Sequence, residues 1–591
     1  MPSRLLPTLS AVLALACTPA VHGPTAAPPT VAVATPESPP PGAAITPPAA
    51  LDARVSGELL HADLRRLEQL LVDSHPDAFS GGGGRVAFAR RFADVAAAIG
   101  DDGMSVAEFL ARVQPLVAAV RDGHTTIGSP LAGDGGRRAQ LELSIAGGEI
   151  YVAGVTAPAD RHWLGARVSG VAGVGIAELA ARMQTLRGYD NAYTNLVHLR
   201  DALVRPDGLA ALLRSEAPPT TLALELSPAH GAAASWKVPF ANATPAMLRP
   251  PTHYEAPSLD DAGMGWGFVD GSKSIAVLRI ASMMRYREAF EVWRATGFTA
   301  NLGDHLTAVA KAAAPYDRPR NVDEAIALVP SATATMTALM SEMAEHHTQV
   351  LIVDLRGNTG GNSAMNAIVG YFLMPVNELV SLDEGYQIPR YSQLWLDNHD
   401  ATLDQLRARI PGIELGDFDF SEERRWRAHH RAADHDTPPV DDVQARIDAF
   451  VAQADAIPTF AAELRERRWS AGFTGPVVVV GDADTYSAGF DLLAMLVRRG
   501  ATFVGTPSSQ AGNCFIDALG YELPYSGLRG SISYKRSLMF PDDPARGELL
   551  RPDVELTWRE LAAHHFDPEA AMQLAIAAAR TRARHGRARR P

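Results

Sequence analysis

Cysteine is nearly missing from this 591-residue chain, which holds only Cys17 and Cys514. Two residues cannot build a cysteine metal centre, and if Cys17 is cleaved away or modified in a leader no internal disulfide exists. Positive charge is also in short supply. Lys and Arg number 54 against 67 Asp and Glu, giving a formal net charge of −13, so the basic stripe of a nucleic-acid surface is not expected. The apolar stretch from Leu5 to Ala16 is too short to span a bilayer. A hydrophobic content of 47% beside 20% charged residues is that of an ordinary globular protein, long enough for three or four domains.

The start of the chain carries an export pattern. "MPSRLLPTLSAVLALAC" has one positive charge, an apolar stretch and small residues before Cys17. Leu13 to Cys17 resemble a bacterial lipoprotein box, with Ala14 where that box usually has leucine. The expectation is a signal over 1–17, a lipid on Cys17 as membrane anchor, and a place in the bacterial cell envelope, periplasmic or surface-facing. Residues 18–50 follow as a Pro/Ala/Thr-rich tether. At the other end "RTRARHGRARR" from Arg580 reads as a solvated basic tail, 581–591.

Between these ends the chain divides by periodicity. Leu60, Leu64, Leu67 and Leu71 recur at helical spacing, and "SVAE" from Ser105 is a capping box that opens a helix with Phe109, Val113, Leu116 and Val120 on one face. Residues 51–127 are therefore expected to form a helical domain. From about Gln140 the pattern becomes short alternating runs, "LELSIAGGEIYVAGV", "TLALELS" and "WKVPF", with one helical stretch among them, which predicts a mixed domain over 128–245. The remainder, 265–580, alternates buried strand candidates ("SIAVLRIAS", "QVLIVDLRG", "VVVVG", "TFVG") with helices, an α/β signature. Two polar segments, near 284–345 and 376–470, read as helical insertions.

Three local signals bear on chemistry. Ser487 stands between the strand "VVVVG" and a helix whose apolar stripe is Phe490, Leu493, Ala494 and Val497. It is a helix cap or an attacking hydroxyl; the position suits both, because a helix start offers free N–H groups and its positive end to either. The strand "QVLIVDLRG" runs into a turn holding Gly357, Gly360 and Gly361, where a backbone can approach a ligand. No lysine follows it, so a nucleotide loop is disfavoured. His124, in "RDGHTTIG", is a structural hydrogen-bonder or a base.

Taken together, "RDGHT", "VDLRGNTGG", "DTYSAG", "TFVG" and "RPDVEL" resemble, in order and spacing, the tail-specific or C-terminal-processing serine peptidases, and within them the branch that includes the tricorn protease core. The resemblance implies a multidomain α/β protein: an N-terminal helical domain, a PDZ-like mixed domain, and a sheet-and-helix core like that of ClpP and crotonases. It implies Ser487 as nucleophile. In the better-known branch a lysine lies twenty-five residues after the serine; here that place is Gly512 and the next lysine is Lys535. The tricorn-like branch uses histidine, which implies His124 as base. A late carboxylate completes the set, with Glu548 first and Asp517 and Glu522 as competitors. The oxyanion hole then falls to the N–H of Ala488 and that of Gly360 or Gly361. The implied substrates are peptides or proteins, with no nucleic acid, no metal and no organic cofactor needed.

Two rival readings come from other classes of function: a non-catalytic peptide or ligand binder on the same scaffold, and an esterase. An α/β-hydrolase elbow is not present, since Thr485 stands where its first glycine belongs. His429, His430 and His435 in "HHRAADHD" read as a solvated helix face and not a metal site. Cys514 is expected to be buried near the site and unreactive, Asp482 and Asp484 to cap the serine turn, and Asp354 and Arg356 to shape the glycine loop.

Overall fold

The valine run that precedes Ser487 explains the centre of the molecule. In the computed structural model Val477–Gly481 is an inner strand of a six-stranded sheet, ordered Met264–Phe268, Ile275–Ile280, Val350–Asp354, Val477–Gly481, Thr502–Gly505 and Val554–Glu555. The first pair is antiparallel and the other four pairings are parallel. Val477 and Val479 face a layer that includes helices Ala332–Glu345, Ala364–Leu373 and Ala488–Arg498. Val478 and Val480 face Met572, Ala575 and Ala579 of the helix Ala570–Ala588. Both faces are covered, so every position must be apolar and the run does not alternate. Burying each valine contributes about 1.5–3 kcal/mol.

The structure describes residue 48 and residues 50–588, apart from 131–135, 216, 230, 243–245, 297–302, 381–384, 434–442, 468–472 and 474. The leader with Cys17, nearly all of the tether, His435, the side chains of His429 and His430, and the last three residues lie outside what is described. Among the described residues no helix is long and apolar enough to cross a membrane.

The middle region is an antiparallel sheet ordered Arg138–Ala139, Ala234–Ala241, Thr221–Ser227, Arg167–Val171, Glu149–Val155 and Leu141–Ala146. Gly147 and Gly148, at φ 55° and 79°, supply the two positive φ angles that a two-residue hairpin turn requires. Helices Ile176–Met183, Ala192–Leu203 and Pro206–Leu213 accompany this sheet.

At the N-terminal end, helix Gly57–Ser74 buries the predicted leucine stripe. Helix Val106–Ala118 opens with the reciprocal cap, Ser105 N–H to Glu108 Oε2 at 2.8 Å and Glu108 N–H to Ser105 Oγ at 3.2 Å. These helices do not form a separate core. They share one with Tyr391, Trp395 and Leu406 and with Leu519, Ile532 and Tyr534 of the hairpin Asn513–Glu522/Arg529–Leu538. The short strand Thr126–Gly128 then pairs antiparallel with Arg529–Ser531 of that hairpin. Gly530 is required at this crossing, since a Cβ there would meet Thr126 O at 2.0 Å.

The polar segments hold helices as expected, but the second also contains a strand, Tyr386–Pro389, paired with Lys535–Leu538. Only Tyr386 and Ile388 of its four residues are buried. Such a run is too brief for alternation to show.

Candidate active site

Ser487 occupies the turn from strand Val477–Gly481 into helix Ala488–Arg498, and its backbone decides between its two readings. It lies at φ 52°, ψ −131°, and its side chain makes no capping bond to the helix. Positive φ in a residue with a Cβ costs about 1–3 kcal/mol and persists only where the surroundings impose it. Here they do: Ser487 N–H donates to Gln510 Oε1 at 2.6 Å, Tyr486 N–H to Asn358 O at 2.9 Å, and Thr485 Oγ1 to Leu355 O at 2.9 Å. The hydroxyl is thus left free at the start of a helix.

The glycine loop lies directly against it. A Cβ on Gly360, whose φ is 96°, would meet Ser487 Cβ at 2.5 Å, Tyr486 O at 2.7 Å and Ala488 N at 2.9 Å. Asp482 holds the loop by accepting the Gly357 N–H at 3.0 Å, and Arg356 pairs with Asp354 at 2.8 Å and Glu569 at 2.7 Å. The Gly360 N–H is engaged by Asn358 Oδ1 at 2.9 Å, so Gly360 leaves the pair of expected oxyanion donors. The N–H groups of Gly361 and Ala488 make no hydrogen bond among the described residues.

His124 arrives from the far end of the chain. Its carbonyl accepts from Ser531 Oγ at 2.7 Å, and Ser533 N–H donates to Thr125 Oγ1 at 3.1 Å, so the strand Thr126–Gly128 and its approach are stitched to the hairpin. The imidazole stacks on Tyr486, the chain neighbour of Ser487, with centroids 4.9 Å apart at 29°. Nδ1 is 3.2 Å from the Tyr486 hydroxyl, which donates to Asp190 Oδ2 at 2.8 Å. Nε2 makes no hydrogen bond among the described residues.

Two carboxylates back this histidine. Asp122 is buried and accepts the His124 N–H at 2.9 Å, the Thr125 hydroxyl, and His75 Nε2 at 3.2 Å. Since His75 Nδ1 accepts the Asp77 N–H at 3.0 Å, its Nε2 is the donor. Burial pushes the Asp122 carboxyl up, but the hydrogen bond from His75 and the charge that His75 and His124 carry when protonated outweigh it and leave it below the usual carboxylate range. Asp190 behaves oppositely: burial, with Asp122 adding to it, raises its carboxyl to about 6 against the pull of His124.

Residues 321–518, which include Ser487 and the glycine loop, match peptidase family S41. The chain carries an S41 peptidase domain. Among solved structures, mature CPAF complexed with lactacystin is similar at 13% identity, covering 88% of this chain and 98% of that one with a TM-score of 0.50, a likeness of fold alone. The photosystem II D1 C-terminal processing protease aligns at 13% identity over 85% of this chain and 93% of its own, with a TM-score of 0.35. The tricorn protease aligns at 12% identity over 89% of this chain and 37% of its own, with a TM-score of 0.27. No curated protein matches the sequence.

Within and around the S41 domain the expected third carboxylate is not beside the histidine. Glu548 ends helix Pro544–Glu548, exposed and without a bond to His124. Asp517 pairs with Lys535 at 2.6 Å and Glu522 with Arg529 at 3.0 Å. The groups at the imidazole are Asp122, Tyr486 and Asp190. Asp122 stood in the quoted "RDGHT" and Tyr486 in "DTYSAG", but neither motif says which side chain the fold turns inward. Asp190, from another region, carried no signal beyond the helix-start pattern of "DNAYT".

The ligand atoms of Asp122, His124 and Asp190 lie within 4.8 Å of one another, a spacing compatible with a cation. Their oxygens already accept from His75, Thr125, Tyr486 and two backbone N–H groups, the set of partners of a hydrogen-bonded network. Cys514 is buried, and burial together with Asp190 and Asp122 pushes its thiol well above the ordinary range, away from reactivity.

Proposed function

We propose that this protein is a serine peptidase that cuts peptide bonds through an acyl-enzyme on Ser487, with His124 as general base. The observation that carries the reading is the uncapped Ser487 hydroxyl raised at a helix start beside Tyr486, on whose ring His124 is stacked with Nε2 unbonded. A serine hydroxyl needs a base to take its proton as it attacks, and on this reading the unbonded Nε2 of His124 takes it. The developing oxyanion would accept from the N–H groups of Ala488 and Gly361, which make no hydrogen bond among the described residues. The imidazolium then gives its proton to the leaving amine, and water releases the acyl group by the reverse path.

The finer reading is a peptidase of the tail-specific type with a Ser/His site, exported and held at a bacterial membrane by a lipid on Cys17, acting on extended or C-terminal segments of envelope proteins. Histidine is favoured over lysine because Gly512 stands where the other branch has its lysine and because Lys535 is bound to Asp517 at 2.6 Å. Extended peptides would be held by strand addition, a mode that uses main-chain hydrogen bonds.

The test is incubation of the protein with unstructured peptides bearing free or amidated C-termini, with products mapped by mass spectrometry. Internal cleavage that disappears in Ser487→Ala supports the reading, and a preference for the free carboxyl supports the tail-specific form. Hydrolysis of activated esters without peptide cleavage replaces it with an esterase. Peptide retention without turnover replaces it with a binding protein.

A further inference from the structure

The base proposed for Ser487 needs something to hold its tautomer, and neither the expected Glu548 nor Asp122, which lies beside the imidazole, does so. Glu548 makes no bond to His124, and Asp122 Oδ1 is 4.0 Å from Nδ1, beyond a hydrogen bond. The atom that does meet Nδ1 is the Tyr486 hydroxyl at 3.2 Å. Resting on the Ser487/His124 reading, we propose that Tyr486 and Asp190 are positioning residues: Asp190 takes the phenol proton in a hydrogen bond, the phenol oxygen takes the Nδ1–H, and Nε2 is left unprotonated for the serine.

The direction of the chain follows from counting protons. An ionised carboxylate can only accept, and a phenol has one proton to give. The Tyr486 hydroxyl bonds Asp190 Oδ2 at 2.8 Å, so its proton is on that bond and its oxygen is left as an acceptor. Nδ1 must then be the donor, and the neutral imidazole carries its lone pair on Nε2. The other Asp190 oxygen is fixed by the Gly123 N–H at 2.8 Å, so the carboxylate cannot rotate away. Burial raises the Tyr486 phenol well above its ordinary range, which keeps the proton available to donate.

Asp190 is supplied by the middle region, outside residues 321–518, and is anchored to the S41 domain at three points. Asn191 Nδ2 donates to Ser508 O at 3.1 Å, Thr194 Oγ1 donates to Ser509 O, and Arg200 grips Asp484 with two bonds of 2.7 Å. These contacts bracket the serine turn, since Asp484 precedes Ser487 and Gln510 closes on its N–H. The site thereby draws its nucleophile, its base and the group behind its base from three separated parts of the chain.

The experiment compares kcat and KM of the full chain with those of Tyr486→Phe, Asp190→Asn and the double variant, with Ser487→Ala alongside. Tyr486→Phe keeps the stacked ring and removes only the hydroxyl. We expect kcat to fall on the order of 10²–10³-fold with KM within about twofold, the lower part of what general-base catalysis contributes, because the base is kept but its tautomer is not held. Asp190→Asn should match it, because an amide donor sends the phenol proton towards Nδ1 and favours the wrong tautomer. The double variant should be no worse than either single change, as for residues acting in one chain. If Tyr486→Phe loses the fold by circular dichroism, Asp190→Asn carries the same readout. Retention of half the parent kcat in either folded variant overturns the relay, as do losses that multiply in the double variant or appear in KM. Loss of activity in Ser487→Ala beside such retention leaves the nucleophile standing and removes only the relay; a parent that never turns over removes both.

Discussion

Gly360→Ala is the substitution whose effect the structure sets most narrowly. The added methyl would lie 2.5 Å from Ser487 Cβ, 2.7 Å from Tyr486 O and 2.9 Å from Ala488 N, where ordinary contact is 3.4–4 Å. The last two are backbone atoms, so no rotamer change relieves them. The position also sits at φ 96°, where a Cβ costs about 1–2 kcal/mol. Overpacking adds about 1–3 kcal/mol, for a total destabilisation of about 2–5 kcal/mol. To reach ordinary contact the loop must retreat from the serine by roughly 1 Å, a displacement that costs on the order of 10² in turnover. Gly357→Ala is the control: at φ 72°, with nothing within 4 Å of its Cβ, it suffers only the backbone term. Chemical denaturation gives the stabilities, and the rate of fluorophosphonate labelling per folded molecule gives the reactivity of Ser487. A Gly360→Ala protein that labels at the parent rate, or that is no less stable than Gly357→Ala, would refute the argument that this loop is held against the nucleophile.

Two further outcomes are expected. Asp190 titrates at about 6 in the fold against 3.8 unfolded, so the folded state binds more protons between those values and its contribution to stability is full below 3.8 and lost as pH rises through 6. Asp190→Asn should remove that loss, so its stability relative to the parent should rise by about 3 kcal/mol between pH 3.5 and 7 in urea titrations, and a flat difference would contradict the burial of this carboxyl. Cys17→Ser should abolish incorporation of radiolabelled palmitate and release the protein from membrane fractions of a bacterial host; unchanged fractionation would remove the lipid anchor from the account.

How much was legible in the sequence depended on whether a feature was local. Val477–Val480 announced a strand covered on both faces, and Ser105 with Glu108 announced a helix start, because each depends on residues within a turn or two. What stayed hidden was long-range. The meeting of His124 with Tyr486 depends on Thr126–Gly128 pairing with Arg529–Ser531, and no periodicity records which strand a three-residue edge will join. Asp190 reaches the site only through the docking of Asn191, Thr194 and Arg200 on the far side of the serine turn. The resemblance implied Glu548 from its place in the order of motifs, and that order holds nothing of the exposed helix end on which it falls. The glycine turn reads in the sequence as a place where backbone can approach a ligand; that Gly360 lies against Ser487, and that the Asn358 side chain takes its N–H, became visible only in three dimensions.

The central claim, that Ser487 is a nucleophile activated by His124, is met most directly by labelling the full chain with a fluorophosphonate probe beside Ser487→Ala and His124→Ala, with folding checked by circular dichroism. The account predicts that the parent forms a covalent adduct on Ser487, that Ser487→Ala forms none, and that His124→Ala labels slower by a factor on the order of 10²–10⁴. A folded parent that stays unlabelled, or a His124→Ala protein that labels at the parent rate, would contradict it.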